Sequence, residues 1–265
     1  MKYEAKIQGN DNGNQTYNSS YIAESRESGT PWVNINQLQA KAECEAIGAH
    51  LITNAEWMAL AHDIELTASN WSGGVVGSGY INRGYSAHTS YGDSWTNTAA
   101  APDTGSSYVY NSGANALSST GNHLYKRTYT LSNGEEIWDM GGNVLEWIDE
   151  TIDCTTTTCS SSLMPYGASA GSEWCEYYGT VSGFDTIATW GEFTKIQLGP
   201  IGNYNSTNQI GRIFTDNSSA TPSGNIHVFL RSGFWNYGNY AGVFTIILPR
   251  APDYTYIGAG FRCVK

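Results

Sequence analysis

Charge is scarce in this chain. Of its 265 residues only 14% are charged, and 24 acidic residues outweigh 13 basic ones, for a formal net charge of -11. Cations this few and this scattered exclude a surface that tracks nucleic-acid phosphates. The acidic excess reads as a source of solubility. No run of 18 apolar residues occurs, so no membrane-spanning helix is expected. Residues 1–20 are polar, and no signal peptide is expected in them. The five cysteines, Cys44, Cys154, Cys159, Cys175 and Cys263, form no Cys-x-x-Cys pair of the zinc or redox type. Cys154 and Cys159 could close a small loop, and an odd count leaves one cysteine over. His50, His62, His88, His123 and His227 lack close ligand spacing and read as ordinary buried or surface imidazoles.

Glycine and aromatic residues are plentiful, with 30 Gly, 18 Tyr and 9 Trp. This composition suits a loop-rich, aromatic-rich β protein working outside a cell. No composition shift or Pro-rich linker divides the chain, so a single domain over 1–265 is expected. Residues 36–48 read as a helix capped by Asn36 and ended by Gly48, with Leu38, Ala42 and Ala46 along its apolar face. A second helix follows Thr53, which forms a capping-box pattern with Glu56. Its Trp57, Leu60, Ala61 and Ile64 recur at helical spacing. Residues 69–135 read as long loops packed by their own aromatics. Short strands are expected within 226–233, 242–248 and 258–264. Two early helices on a small antiparallel sheet with long loops give an α+β fold class.

The stretch from Arg231 to Cys263 has two textures. A framework of Arg-Ser-Gly, Ala-Gly-Val-Phe, Ala-Pro-Asp and Gly-Phe-Arg-Cys alternates with clumps of aromatic, amide, basic and aliphatic residues. The clumps lack the period of 2 that a half-buried strand shows, so they are expected to face solvent.

Four segments occur in order: LITNAEWMALA (51–61), IWDMGGNVLEWI (137–148), LRSGFW (230–235) and GFRCV (260–264). Together they resemble the formylglycine-generating-enzyme branch of the C-type lectin fold, from about Trp32 to the C-terminus. The resemblance implies a C-type lectin fold. It also implies a structural Ca²⁺ held by Asp139, the carbonyls of Gly142 and Val144, and Glu146, since hard oxygen ligands suit that ion. It pairs Cys263 with Cys44 in a disulfide. Fold alone does not give activity. The enzymes of this branch use two reactive cysteines just after the Arg-Gly-Gly-x-Trp segment, and the matching stretch here holds none. The His-x-x-x-His-x-Glu set of the related iron enzymes is also absent. The chain is therefore expected not to be an enzyme and to need no catalytic cofactor.

The C-terminal segment resembles the variable region of diversity-generating-retroelement proteins. In those systems adenine-directed copying turns AAY codons into NNY, which specify Phe, Tyr, Ile, Pro, Arg and Asn but never Trp. The clump residues Phe234, Asn236, Tyr237, Asn239, Tyr240, Ile246, Ile247, Pro249, Arg250, Tyr254, Tyr256 and Ile257 obey that rule. Trp235 does not, and belongs with the framework. The resemblance implies a hypervariable ligand-binding surface at about 231–258, rich in Tyr as antibody loops are. The expected partner is a protein or glycan on a target cell surface, met from an extracellular or virion position such as a tail-fibre tip. A formylglycine-generating-like oxidase and a calcium-dependent lectin are the alternatives. The latter lacks its usual Glu-Pro-Asn or Gln-Pro-Asp tripeptide here.

Overall fold

The first helix, α1 (Gln37–Ala46), begins where its cap dictates. Asn36 Oδ1 accepts from the Gln39 backbone N–H, and Gln39 Oε1 accepts from that of Asn36. Past its end Gly48 takes φ +69°, a left-handed conformation that glycine adopts without steric cost. The buried face is Gln37, Ala40, Glu43 and Cys44. This corrects the expected apolar face, because Leu38, Ala42 and Ala46 are exposed. The cause is polar: Gln37 Nε2 donates to the carbonyls of Ile148 and Glu150, which turns a glutamine inward and Leu38 outward. The second helix, α2 (Asn54–Leu66), carries the Thr53–Glu56 capping box. Its Trp57, Ala61 and Ile64 are buried, as the spacing predicts.

The computed structural model describes residues 1–89, 93, 96–103, 125–153, 173–176, 195–202, 204, 206–215, 226–248 and 250–265. Among these the fold is mixed α and β, with few helices and several small sheets, compatible with an α+β class. The short strands β1 (Ala5–Ile7) and β2 (Ala23–Ser25) pair antiparallel. So do β4 (Thr128–Thr130) and β5 (Glu136–Trp138). The largest sheet contains β6 (Leu145–Asp153), β7 (Glu173–Glu176), β8 (Arg212–Thr215), β9 (Ile226–Arg231), β10 (Ile246–Ile247) and β11 (Ala259–Phe261). Their order is β11-β6-β9-β10-β8-β7. A short α3 (Lys195–Leu198) precedes β8.

The sheet is mixed rather than antiparallel as expected. The pairs β6–β9, β9–β10 and β7–β8 are antiparallel, whereas β11 runs parallel to β6 and β10 parallel to β8. Long connections before β10 and β11 allow both to enter in the parallel sense. The sheet is covered on both faces. Trp57, Ile148, Phe229, Val243, Phe244 and Ile246 belong to one apolar cluster. Trp32, Cys44, Trp147, Leu230, Ile247 and Phe261 belong to the other. Successive residues of β6, β9 and β10 therefore alternate between two cores, which is why these strands read as continuous apolar runs.

The last strand is tied to the early elements. β3 (His50–Leu51) pairs antiparallel with β12 (Cys263–Val264). Cys44 and Cys263 are joined in a disulfide that spans 219 residues. Chain-entropy reasoning assigns a cross-link of that span roughly 5 kcal/mol. Among the described residues no helix is long and apolar enough to cross a membrane. The expected loop Cys154–Cys159 lies outside the described residues, and Cys175 lies on β7.

Candidate functional site

The C-terminal segment sits on a buried polar frame. Arg231, at the end of β9, is fully buried and donates to the Leu198 carbonyl at 2.9 Å and to Asn54 Oδ1 at 2.5 Å. It thus ties β9 to α3 and to the start of α2. Ser232 (φ +80°) and Gly233 (φ +114°) then reverse the chain. A Cβ on Gly233 would lie 2.7 Å from Ala241 Cα, so only glycine fits. Ser232 Oγ donates to the Gly142 carbonyl at 3.0 Å. Trp235 N–H donates to the Asn143 carbonyl at 3.0 Å, and the Trp235 carbonyl accepts from Ala87 N–H at 2.8 Å. Trp57 Nε1 donates to the Val243 carbonyl at 2.9 Å, fixing the return of the chain to α2.

The residues expected to bind calcium cluster under this frame, but they do not fit that ion. Asp139 is paired through both oxygens with Arg127. Glu146 is paired through both oxygens with Arg262. The Gly142 carbonyl accepts the Ser232 hydroxyl instead of facing a cation. Val144 N–H donates to Glu4 Oε1 at 3.2 Å. Both carboxylates are fully buried, so their charge needs a partner at once, and a guanidinium already supplies it. Among the described residues, Glu4, Asp103 and Asp139 are the one acidic group close enough to share a metal ion. There too the cations are built in: Lys6 Nζ reaches Asp103 at 2.5 Å and Arg127 reaches it at 2.8 Å.

This cluster carries one acid more than it has bases. Glu4, Asp103, Asp139 and Glu146 face Lys6, Arg127 and Arg262, all buried. Burial and the neighbouring Asp139 and Asp103 charges push Glu4 well above the usual carboxylate range. Burial pushes Asp139 up to about 7, with Arg127 opposing and Asp103 adding to the rise. Against the upward push of burial, Lys6 and Arg127 hold Asp103 below its ordinary value. The arrangement favours the protonated form of Glu4 and Asp139 over that of an ordinary carboxyl.

The clump residues divide by exposure. Tyr237, Tyr254 and Tyr256 are half-buried and gather around Phe234. Phe234 meets Tyr237 edge-on at 4.0 Å between ring centroids and Tyr256 edge-on at 5.6 Å. Tyr254 and Tyr256 stack at 6.3 Å, and the Arg250 guanidinium lies 4.8 Å from the Tyr254 ring. Arg212 lies 4.0 Å from the ring of the half-buried Tyr240. Asn236 and Asn239 are also half-buried, and Ile257 is 45% exposed. The framework residues Trp235, Val243, Phe244 and Phe261 are buried.

Three expected surface residues are not on the surface. Ile246 and Ile247 form β10, one in each apolar cluster, and are 0% and 2% exposed. Their lack of polar alternation reflects burial on both faces, not display. Phe234, at 6% exposure, is the buried pin of the tyrosine patch rather than part of its face. Pro249 lies outside the described residues.

Sequence reasoning missed a second feature of the site. Beside the patch is a cavity of about 210 Å³, bounded by Trp235 and Ile257 on the C-terminal side. Its other walls are the N-terminal loop, including Asn12 and Asn14, and residues 98–100. Nothing in the sequence brings these distant stretches together, although the run Asn-Asp-Asn-Gly-Asn at 10–14 does signal a tight polar turn. No protein-family model matches this chain, and no curated protein matches it. The functional reading therefore rests on the site itself.

Proposed function

We propose that this chain is a diversified ligand-binding protein of the diversity-generating-retroelement kind. In this reading it has a C-type lectin fold of the formylglycine-generating-enzyme type. It displays side chains between about 231 and 258 to a protein or glycan target, at an extracellular or virion surface. The observation that supports the reading is the coherence of the accessible clump residues. Tyr237, Tyr254 and Tyr256 form one aromatic patch with Arg250 at its edge, while Trp235, Val243, Phe244 and Phe261 of the framework are buried. Half-exposed aromatic clusters of this kind mark partner sites, because rigid rings bury much area at little entropic cost. Oxidase chemistry is not proposed: no cysteine lies between Trp235 and Gly260, and Cys263 is held in a disulfide.

The test is a displayed library. Asn236, Tyr237, Asn239, Tyr240, Arg250, Tyr254, Tyr256 and Ile257 are randomised together with NNY codons. Most members are expected to fold, and selection against unrelated protein and glycan baits is expected to yield distinct binders. A library in which most members fail to fold, or from which no bait selects anything, overturns the reading.

A further inference from the structure

The cavity beside the tyrosine patch has the make-up of a binding site in its own right. Trp235, Ile257, Pro31, Val33 and Ala100 give it an apolar lining. Asn12, Asn14, Thr30 and Thr98 add amides and hydroxyls, and among the described residues no charged one lines it. The two asparagines are exposed and have their amide donors to spare. Asn12 Oδ1 accepts from the Asn14 N–H and Asn14 Oδ1 accepts from Asn34 Nδ2, so both oxygens are engaged within the protein. Neither Nδ2 donates a hydrogen bond among the described residues.

The walls are joined before any ligand arrives. Asn143, buried and at φ +61°, exchanges two hydrogen bonds with Ala101 through its side chain and accepts from Trp235 N–H through its carbonyl. The 98–100 wall and the tryptophan wall thus hang from one residue. The N-terminal wall is joined to the C-terminal segment by Asn34 N–H donating to the Tyr256 carbonyl at 3.1 Å. Gly13 lies so close to Pro31 that an added Cβ would stand 2.0 Å from its carbonyl oxygen. A preformed site loses little free energy to ordering when it is filled.

We infer that this cavity binds one neutral sugar ring, a hexose or N-acetylhexosamine, without a metal ion. The inference rests on the C-terminal segment being a ligand surface, and it names the ligand class beside that surface. The volume suits a single ring, since a cavity of about 150 Å³ takes benzene. A sugar ring has an apolar C–H face for Trp235, Ile257 and Pro31, and hydroxyls for the two amide donors. Among the described residues no cation lines the cavity, which disfavours sialic acid and phosphosugars. Among the same residues Ile257 is the one lining residue in the diversified set, so variants would keep the ligand class and change its linkage or substituent preference.

The experiment presents neutral hexose- and N-acetylhexosamine-terminated oligosaccharides to the intact chain, on an array and by saturation-transfer NMR, with and without EDTA. The variants are Asn12→Asp with Asn14→Asp, which keep the accepting oxygens and remove the donors, Ala99→Trp, which fills the mouth from an exposed position, and Glu45→Gln, an exposed control on α1. Binding that ignores EDTA, weakens about tenfold in the double Asp variant, disappears in Ala99→Trp and survives Glu45→Gln supports the inference. Glycan binding that Ala99→Trp leaves intact overturns it. So does an absence of glycan binding while Ala99→Trp abolishes capture of a protein bait, since the cavity then takes an apolar side chain. That last outcome leaves the proposed ligand surface standing, whereas failure of the displayed library does not.

Discussion

Arg127 and Arg262 meet the two carboxylates that were expected to hold a divalent cation. Each holds a buried carboxylate, Asp139 or Glu146, through both of its oxygens. Removing either arginine would strand a buried charge, which costs more than the pair contributes. The chelator EDTA is therefore expected to leave the melting temperature unchanged, and a fall of several degrees would restore a metal to the site. The surplus acid sets the pH response. Asp139, at about 7, and Glu4 are raised in the folded state, so their contribution is complete below the ordinary carboxylate pKa and is lost as pH rises through the folded values. Asp103 is lowered, so its contribution holds above its ordinary pKa and is lost in acid. Stability should peak near the ordinary carboxylate pKa, at about pH 4, and fall as pH rises from there towards about 7. The same fall should persist in 1 M salt, which screens surface repulsion but not a buried cluster. A melting temperature that rises from about pH 4.5 to about pH 6.5 would contradict this picture.

The elements differ in how plainly they were written. Helix α2 was legible because capping and packing agree: Thr53 and Glu56 fix its start, and the buried Trp57, Ala61 and Ile64 share a face. The buried face of α1 was not, because Gln37 goes inside for two backbone carbonyls that lie 111 and 113 residues away. Strand β10 misled for a related reason. Ile246 and Ile247 look like irregular display residues, yet each faces a different core. The arginine pairs were invisible because partners such as Glu146 and Arg262 are 116 residues apart. These differences are measurable. Ile246→Ser should cost on the order of 3 kcal/mol or more, since it deletes buried volume and buries a hydroxyl. Tyr254→Ser, on the half-buried patch, should cost about 1 kcal/mol or less. Denaturant titration of the two variants decides it, and equal costs would put Tyr254 in the core or Ile246 on the surface.

At the scale of the whole molecule, the features near the C-terminus form a braced base under the half-buried tyrosine patch. The Cys44–Cys263 bond and the β3–β12 pairing tie the end of the chain to the early elements. Arg231 ties β9 to α2 and α3, and Asn143 carries both Trp235 and the wall of the cavity. A base held this way is expected to tolerate substitution at Asn236, Tyr237, Asn239, Tyr240, Arg250, Tyr254, Tyr256 and Ile257, because none of these is fully buried. The broad α+β class was readable from two early helical patterns and late strands. The mixed strand order was not, since periodicity gives elements and not their neighbours. Diversification of the face is the central claim, and the DNA tests it most directly. Sequencing this locus across a natural population, with its flanks, should find a near-copy of the last gene segment beside a reverse transcriptase. Differences between individuals should fall at NNY codons of the accessible clump positions, and Trp235, Val243, Phe244 and Phe261 should stay fixed. Flanks without such a copy, together with differences spread evenly over framework and clumps, would contradict it.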